Sequence, residues 1–314
     1  MENINNYIYI NDQILYQDDN GNKIITVDSN LLNKKNFIYN KSSFRFKGSN
    51  NTVFLHGVVS FKNAFLRFDG SGNVAVLPHN YSLEETEIIF VGNNSLCYLN
   101  LPASKRLRLA HITLGSECVF YSGIGTNTNP SDYPNHYYVY EGQNVVFGDK
   151  CLVANDIILR TSDNHLFYDI ETKKRINTPA SIFIGDKCWI CQSVYINKNT
   201  IIGSGTIIGA RSVVGKKIFP SNTLVAGQPG KVLREGIASV GQNIRLFVKE
   251  DEERVETAED LSGFIFNEDE NTFDINELDF QLKSARTGTG KLEVVCKTLL
   301  ANKSHNRFAI NKKQ

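Results

Sequence analysis

The most regular pattern of apolar positions runs through residues 184–214, where a β-branched aliphatic residue stands at every sixth position. The residues in this series are Ile184, Ile190, Ile196, Ile202, Ile208 and Val214. A period of six fits neither the helical repeat of about 3.6 residues nor the two-residue alternation of a single strand. It fits a three-sided coil of about eighteen residues, in which each side points one aliphatic residue inward and successive coils pair as parallel strands. The pattern therefore predicts a mainly β chain, a left-handed parallel β-helix of hexapeptide repeats.

The repeat continues upstream in a looser form. Turn-like glycines recur at intervals of 22, 22 and 23 residues, at Gly48, Gly70, Gly92 and Gly115. The segment FGDKCLVANDIIL at 147–159 is a near copy of IGDKCWICQSVYI at 184–196, and it sets Leu152 against Trp189, the one tryptophan of the chain. Both features predict that coils are stacked well before residue 184.

Polar stretches interrupt this repeat and suggest a division of the chain. We expect residues 125–143 and 162–180 to leave the wall as outward loops, because a wall strand has to keep its inward register. Residues 1–40 are predicted to cap the first coil and cover its open edge. The β-helix is predicted over residues 41–237. Residues 238–314 lose the six-residue rule and read as a small mixed α/β appendage.

Composition excludes several classes of function. A formal net charge of +1 over 314 residues does not indicate a basic surface that would bind nucleic acid or a membrane. The N-terminal residues MENINNYIYI lack the features of a signal peptide, and no run reaches the ~20 apolar residues of a membrane-spanning helix. We therefore expect a soluble, cytoplasmic protein without membrane insertion.

The C-terminal coils, IFIGDKCWICQSVYINKNTIIGSGTIIGARSVVGKKIFPSNTLVAGQPGKVLRE, resemble those of hexapeptide-repeat acyl-CoA transferases. The adjoining TSDNHLFYDIETKKRIN resembles the histidine loop of bacterial capsule O-acetyltransferases, especially the polysialic acid O-acetyltransferases. The resemblance covers about residues 145–237. It implies acetyl-CoA as co-substrate without a metal, a polysaccharide acceptor near the capsule assembly machinery, and a homotrimer with active sites in the grooves between adjacent β-helices.

His165 matches the histidine of that loop, and the resemblance implies that it is the general base. A sugar hydroxyl has a pKa far above neutral, so its proton must be removed as it attacks the thioester, and imidazole titrates near the working pH. One carboxylate can fix the tautomer of such a base. Asp163 and Asp169 are both within reach along the chain, and His136 is the rival base.

Trp189 replaces an aliphatic residue at an outward position, where it is either an anchor between subunits or a wall of the active site. The resemblance implies that its ring lines the acetyl-CoA groove. Where many relatives carry glycine two residues later, this chain has Cys191. Coenzyme A needs a groove of small residues and cations for its phosphates. The candidates for its binding are Trp189, Gly209, Ala210, Arg211, Lys216, Lys217, Lys231 and Arg234.

The tyrosine-rich stretch 125–143 is a candidate acceptor surface, because tyrosine rings stack on sugar faces; packing on a neighbouring subunit is the alternative. The predicted acceptor residues are His136, Tyr137, Tyr138 and, on the other loop, Lys173.

The leading hypothesis is an acetyl-CoA-dependent O-acetyltransferase that acts on a hydroxyl of a bacterial capsular or surface polysaccharide. An N-acetyltransferase of an amino-sugar nucleotide would use the same fold and co-substrate. A non-catalytic carbohydrate-binding β-helix would use the fold alone. A metal enzyme is not expected, since no two histidines are closer than 23 residues in the sequence.

Overall fold

The computed structural model describes residues 13–26, 39–40, 43–55, 59–78, 81–100, 106–128, 133–242, 244–249, 251 and 255–311. Within them the chain forms the expected left-handed parallel β-helix, with three sides to each coil. We call the turn from the first side to the second the first corner, and the turn from the second side to the third the second corner. The third corner leads from the third side to the first side of the next coil.

The first side is a ten-stranded sheet. Its strands, in spatial order, are β1 (Gln13–Gln17), β2 (Lys23–Thr26), β5 (Thr52–Leu55), β8 (Val74–Leu77), β11 (Leu96–Leu99), β14 (Val119–Ser122), β17 (Asn144–Phe147), β20 (Ile182–Ile184), β23 (Thr200–Ile202) and β26 (Lys217–Phe219). From β2 to β26 all pairs are parallel; β1 pairs antiparallel to β2 at the N-terminal edge of the sheet.

The other two sides complete each coil. The second side comprises β3 (Tyr39–Asn40), β6 (Val59–Lys62), β9 (Tyr81–Glu84) and β12 (Arg106–Arg108), followed by β15 (Asn127–Thr128), β18 (Leu152–Val153), β21 (Trp189–Ile190), β24 (Ile207–Ile208), β27 (Thr223–Gly227) and the antiparallel β28 (Gly230–Glu235). The third side comprises β4 (Ser43–Phe46), β7 (Phe65–Phe68), β10 (Glu87–Phe90), β13 (Ala110–Leu114), β16 (Asn135–Val139), β19 (Ile158–Arg160), β22 (Tyr195–Asn197) and β25 (Val213–Val214).

The six-residue period forms the core of the last coils, as predicted: the six aliphatic residues from Ile184 to Val214 are each at most 1% exposed. The upstream coils are longer, since more than twenty residues separate the starts of successive first-side strands from β5 to β17, and fewer than twenty separate those from β20 to β26. Successive glycines meet at the third corner, where a Cβ on Gly48 would lie 2.1 Å from the Gly70 carbonyl oxygen. This close approach explains why only glycine fits there.

The prediction of an outward loop over residues 125–143 is wrong. Strand β16 lies within this stretch and pairs in parallel with β13 on one side and β19 on the other. Its alternate residues Asn135, Tyr137 and Val139 are buried, so the strand keeps the inward register of the wall. The connection before β16 is therefore confined to residues 129–134, of which 129–132 lie outside the described residues.

The C-terminal residues cover the outer face of the first side. They include a 3₁₀ turn at Ser262–Phe264, helix α1 (Ile275–Ser284), helix α2 (Gly288–Val295) and a π-helical turn at Cys296–Leu300. Apolar residues of both helices, such as Leu282 and Val295, join outward residues of the sheet in a second hydrophobic cluster.

Arg307 fastens this C-terminal segment to the first corner. Its side chain is 1% exposed and forms a two-pronged ion pair with Asp186, at 2.9 and 3.1 Å, and a further contact with Asp149 at 2.9 Å. The remaining guanidinium nitrogen donates to the carbonyls of Leu299 and Asn302. Since every prong of the guanidinium has an acceptor, the buried charge is fully compensated.

The cap predicted for residues 1–40 falls largely on residues 1–12 and 27–38, which lie outside the described residues. The domain limits at residues 40 and 237 stay predictions. In the described part of the chain, no helix combines the length and the apolar character needed to cross a bilayer.

Candidate active site

The loop over residues 162–180 leaves the β-helix at the third corner, between β19 and β20, and Glu141 of the preceding coil holds its stem. Buried Ser162 donates a hydrogen bond to the Glu141 carboxylate, and Arg175 pairs with the same carboxylate at 2.8 Å. The hydrogen bond from Arg175 is the main cause that lowers the pKa of Glu141. One acidic side chain therefore ties the two arms of the loop together.

Lys198, at the third corner of the following coil, ties down the same stem from the other side. Its Nζ lies 2.6 Å from the Asp163 carboxylate and donates to the Asn177 carbonyl at 3.1 Å. The hydrogen bond from Lys198 lowers the pKa of Asp163. The Asp163 carboxylate therefore stabilises the stem. The structure shows no hydrogen bond between this carboxylate and the His165 ring, contrary to the expectation that Asp163 orients the base.

His165 stands just beyond the stem, with its side chain exposed. Its carbonyl oxygen accepts a hydrogen bond from Asn177 Nδ2 at 2.7 Å, and the preceding residue, Asn164, accepts one from Arg160 Nη1 at 2.6 Å. No described residue forms a hydrogen bond with the His165 ring. One hydrogen bond to the Asn164 side chain and one to the His165 carbonyl thus hold the chain beside an imidazole that is accessible to an incoming molecule.

The tip of the loop is a tight turn whose hydrogen bonds engage Asp169, the second carboxylate that was a candidate to orient His165. The Asp169 carboxylate accepts hydrogen bonds from the backbone N–H and the hydroxyl of Thr172 at 2.7 and 2.8 Å, and the backbone bond is the main cause that lowers its pKa. Asp169 therefore stabilises the turn and does not orient His165, which corrects the expectation. Lys173, with a φ of 55°, lies in the same turn, and its acceptor role stays a prediction.

Trp189 projects from β21 on the second side, between Leu152 of the preceding coil and Ile207 of the following one. This register confirms the alignment of the two duplicated segments. The indole is 41% exposed. Two residues further along each coil, small residues follow one another: Ala154, Cys191 and Gly209 at the second corner and Ala226 in β27. These four residues, which we call the small-residue strip, leave a shallow surface beside the indole.

Cys188 and Cys191 are three residues apart in the chain, yet Cys188 points into the core and Cys191 points outward. Cys188 is fully buried in the core, whereas Cys191 is partly exposed at the second corner, and both are free thiols. Burial raises the pKa of the Cys191 thiol to about 11. The thiol is therefore protonated near neutral pH and is a weak nucleophile.

The structure does not gather the predicted coenzyme A ligands into one site. Gly209, which belongs to the small-residue strip, follows β24 at the second corner, and Ala210 and Arg211 come directly after it. The other cations lie elsewhere: Lys216 at the third corner, Lys217 at the start of β26 on the first side, and Lys231 and Arg234 in β28. The role of each in coenzyme A binding stays a prediction.

One of the predicted acceptor residues is misplaced. Tyr137 is 2% exposed and points into the core, so it cannot contact an acceptor. Its neighbours His136 and Tyr138 point outward from β16, with Tyr138 Oη 3.4 Å from His136 Nδ1 and their rings stacked at 5.9 Å. Burial and, secondly, the nearby His111 lower the pKa of His136, which favours its neutral form.

Four residues of the loop anchor, Glu141, Arg160, Asn177 and Lys198, were not anticipated from the sequence. Glu141, Arg160 and Lys198 meet the loop because stacked coils bring together residues as far apart as the 35 positions between Asp163 and Lys198, whereas Asn177 belongs to the loop itself. One feature of the repeat indicates the position of Lys198. The strand register sets Leu159 opposite Ile196, which places residue 198 opposite residue 161, where the loop begins.

Comparison with known proteins agrees with this architecture. Residues 181–216 match the family model described as bacterial transferase hexapeptide (six repeats). The solved structure of the polysialic acid O-acetyltransferase OatWY superimposes with a TM-score of 0.55 at 22% identity, over 68% of this chain and 98% of that one. This structural similarity supports the fold.

Two curated relatives are similar in sequence. The polysialic acid O-acetyltransferase of Escherichia coli O1:K1 / APEC is 47% identical over 94 residues, which are 30% of this chain and 30% of that protein. The polysialic acid O-acetyltransferase of Neisseria meningitidis is 25% identical over 153 residues, 48% of this chain and 68% of that protein. The aligned region thus spans less than a third of the Escherichia coli relative.

Proposed function

We propose that this chain, which carries the hexapeptide repeat of bacterial transferases and is related in sequence to polysialic acid O-acetyltransferases, transfers acetyl from acetyl-CoA to a hydroxyl of a bacterial capsular or surface polysaccharide. One observation carries the proposal. His165 offers an exposed imidazole without a protein partner among the described residues, on a loop whose stem is held by Glu141 and Lys198. A general base needs a free ring nitrogen for its substrate and a fixed position.

The reaction follows from the chemistry of the groups involved. A neutral ring nitrogen of His165 accepts the hydroxyl proton while the hydroxyl oxygen attacks the carbonyl carbon of the thioester. As the tetrahedral intermediate collapses, the carbon–sulfur bond breaks and the imidazolium returns the proton to the departing thiolate. The acetyl group passes directly from sulfur to the sugar oxygen. A covalent route through Cys191 is disfavoured, because that thiol, with a pKa of about 11, stays protonated.

The active site is proposed to be shared between copies of the chain in a homotrimer. In a three-sided coil the third corner, which carries the His165 loop, lies opposite the second side, which carries Trp189. The two side chains therefore do not face each other within one chain. The loop also exposes apolar side chains suited to packing on a neighbouring copy. These are Leu166, Phe167, Tyr168, Ile170 and Ile176, each more than half exposed.

Acetyl-CoA is assigned to the groove beside Trp189. The small-residue strip lets an extended pantetheine approach the backbone, and Arg211, at the same corner, can pair with a phosphate. Lys216, Lys217, Lys231 and Arg234 are further candidates for the phosphates. We place the reaction in the cytoplasm, where acetyl-CoA is made, before or during export of the polymer.

His165→Ala tests the proposal, with thiol release from acetyl-CoA as the readout and polysialic acid as the acceptor. Loss of a general base should lower kcat about 10²- to 10⁴-fold and leave the KM for acetyl-CoA little changed. His136→Ala tests the rival base and, at saturating polymer, should keep kcat within threefold of the parent. If this variant loses as much kcat as His165→Ala, the base has been assigned to the wrong histidine.

Two outcomes would favour the other functions. Acetylation of amino-sugar nucleotides, with polysaccharides left unmodified, would identify an N-acetyltransferase. An intact oligomer that binds polysaccharide, while acetyl-CoA gives neither turnover nor a thermal shift, would identify a non-catalytic carbohydrate-binding β-helix.

A further inference from the structure

Outward-pointing side chains on the third side form a continuous stack over three successive coils. His111 of β13 and His136 of β16 occupy the same register position, and their rings stack at 4.9 Å. The His136 ring stacks in turn on Tyr138 at 5.9 Å, and the guanidinium carbon of Arg160 in β19 lies 4.4 Å from the Tyr138 ring centroid. We call these four residues the imidazole–arginine column.

The column ends at the loop that carries His165. Arg160 Nη1 donates to Asn164, the residue before His165, and Arg160 Nε donates to the Tyr195 hydroxyl at 3.1 Å. Among the described residues, no carboxylate pairs with Arg160, and its remaining N–H groups have no partner. A guanidinium with unused donors in a fixed fork can bind a carboxylate in two places at once.

The surrounding face is positively charged. The outward strand positions of the described third side hold three guanidinium groups, Arg45, Arg67 and Arg160, and one carboxylate, Glu87. Glu87 is occupied by His111 at 3.2 Å, and Arg67 pairs with Asp69 at the third corner. The strand positions of this face therefore carry a net positive charge that attracts an acidic ligand, and Asp156 at the second corner is a carboxylate close enough to act on His136.

We propose that the imidazole–arginine column is an acceptor subsite for a chain of acidic sugars, with a sugar carboxylate on Arg160 and sugar faces against Tyr138 and the imidazoles. This rests on the proposed function, because it supplies the acceptor that His165 would deprotonate. Coils are spaced by about 4.8 Å, so the face offers contacts at regular intervals to a ligand that is itself a repeating chain. Aromatic rings and an arginine suit this ligand, since they combine stacking with carboxylate recognition.

Binding without acetyl-CoA tests the subsite separately from catalysis. Polysialic acid is titrated into the full-length protein by isothermal calorimetry, with neutral dextran as the comparison ligand. Arg160→Met and Tyr138→Ala, on two different strands, should each weaken the Kd for polysialic acid about tenfold. The control is Arg286→Met, which removes an exposed guanidinium from the side covered by α1 and α2 and should leave the Kd within twofold of the parent. In turnover, Tyr138→Ala should raise the KM for the polymer and leave kcat within twofold. Arg160→Met also removes the hydrogen bond to Asn164 beside His165, so it should raise the same KM and lower kcat as well.

Several results would overturn the subsite. They are parent-like binding by both column variants, equally tight binding of dextran, or no binding of polysialic acid by the parent. Dissociation of the oligomer by either variant in sedimentation would instead make this face an interface between copies. A parent that binds the polymer through the column and transfers no acetyl would leave the subsite standing while the proposed function fails. Rapid acetylation with unaffected column variants would support the proposed function and exclude the subsite.

Discussion

The pair of Lys198 and Asp163 allows a sharp test of how the His165 loop is held, because its two members differ in exposure. The side chain of Lys198 is 9% exposed and that of Asp163 is 38% exposed. Removing the buried member leaves a carboxylate that water can reach. Removing the exposed member leaves a buried ammonium whose one remaining acceptor among the described residues is the Asn177 carbonyl. The two substitutions should therefore have unequal effects on stability.

The magnitudes follow from the contacts. Asp163→Asn should lower the free energy of unfolding by about 2–3 kcal/mol, because the buried ammonium keeps an amide acceptor and loses its counter-charge. Lys198→Met keeps most of the apolar stem, and it should cost about 1 kcal/mol because the carboxylate rehydrates. The double variant should be more stable than the sum predicts, with a coupling of about 1–2 kcal/mol. If His165 is the base, each single variant should also lower kcat about tenfold, since a loosened stem misplaces the ring.

Urea unfolding of the four proteins of this cycle, with kcat measured on the same preparations, is the assay. Glu171→Gln is the matched control, because Glu171 lies in the same loop, exposed and without an ion pair among the described residues. It should leave both stability and kcat unchanged. Equal costs for Asp163→Asn and Lys198→Met would refute this reasoning. So would an Asp163→Asn variant as stable as the parent to within about 0.5 kcal/mol, the range of an ordinary surface substitution.

Two further predictions concern the C-terminal segment. Arg307→Ala leaves Asp186 buried and unpaired and should lower the free energy of unfolding by about 3–5 kcal/mol in urea, whereas Arg286→Ala, at an exposed pair, should cost less than about 1 kcal/mol. Equal costs would mean that the buried pair does not fasten the segment. Burial lowers the pKa of Lys291 from 10.5 to about 8, so the unfolded chain binds the extra proton between these two values. Stability should therefore rise from pH 8 to pH 10.5 by up to about 3 kcal/mol relative to Lys291→Met; a constant difference between the two proteins would exclude the shift.

The parts of the fold that could be predicted are those in which a short stretch of sequence determines the strand register. In the last coils each side contributes one inward aliphatic residue every six positions, and the duplicated segments placed Leu152 and Trp189 at one register position, as the strands confirm. The upstream coils are longer and take larger inward side chains. There the local sequence does not distinguish an inward tyrosine such as Tyr137, which fills a wider core, from a sugar-binding residue of a loop.

In the candidate site, too, the features that lie in one short stretch of sequence could be predicted, and the contacts between coils could not. The loop and its histidine could be located from a short contiguous stretch, whereas the partners of the loop come from coils before and after it. The stacking of coils pairs Asp163 with Lys198, and the turn at the loop tip joins Asp169 to Thr172 by hydrogen bonds. Both carboxylates near His165 in sequence are therefore engaged within one chain. If a carboxylate orients this base during acetyl transfer, we expect it to come from the neighbouring copy, which in the proposed trimer also brings its Trp189 to the groove.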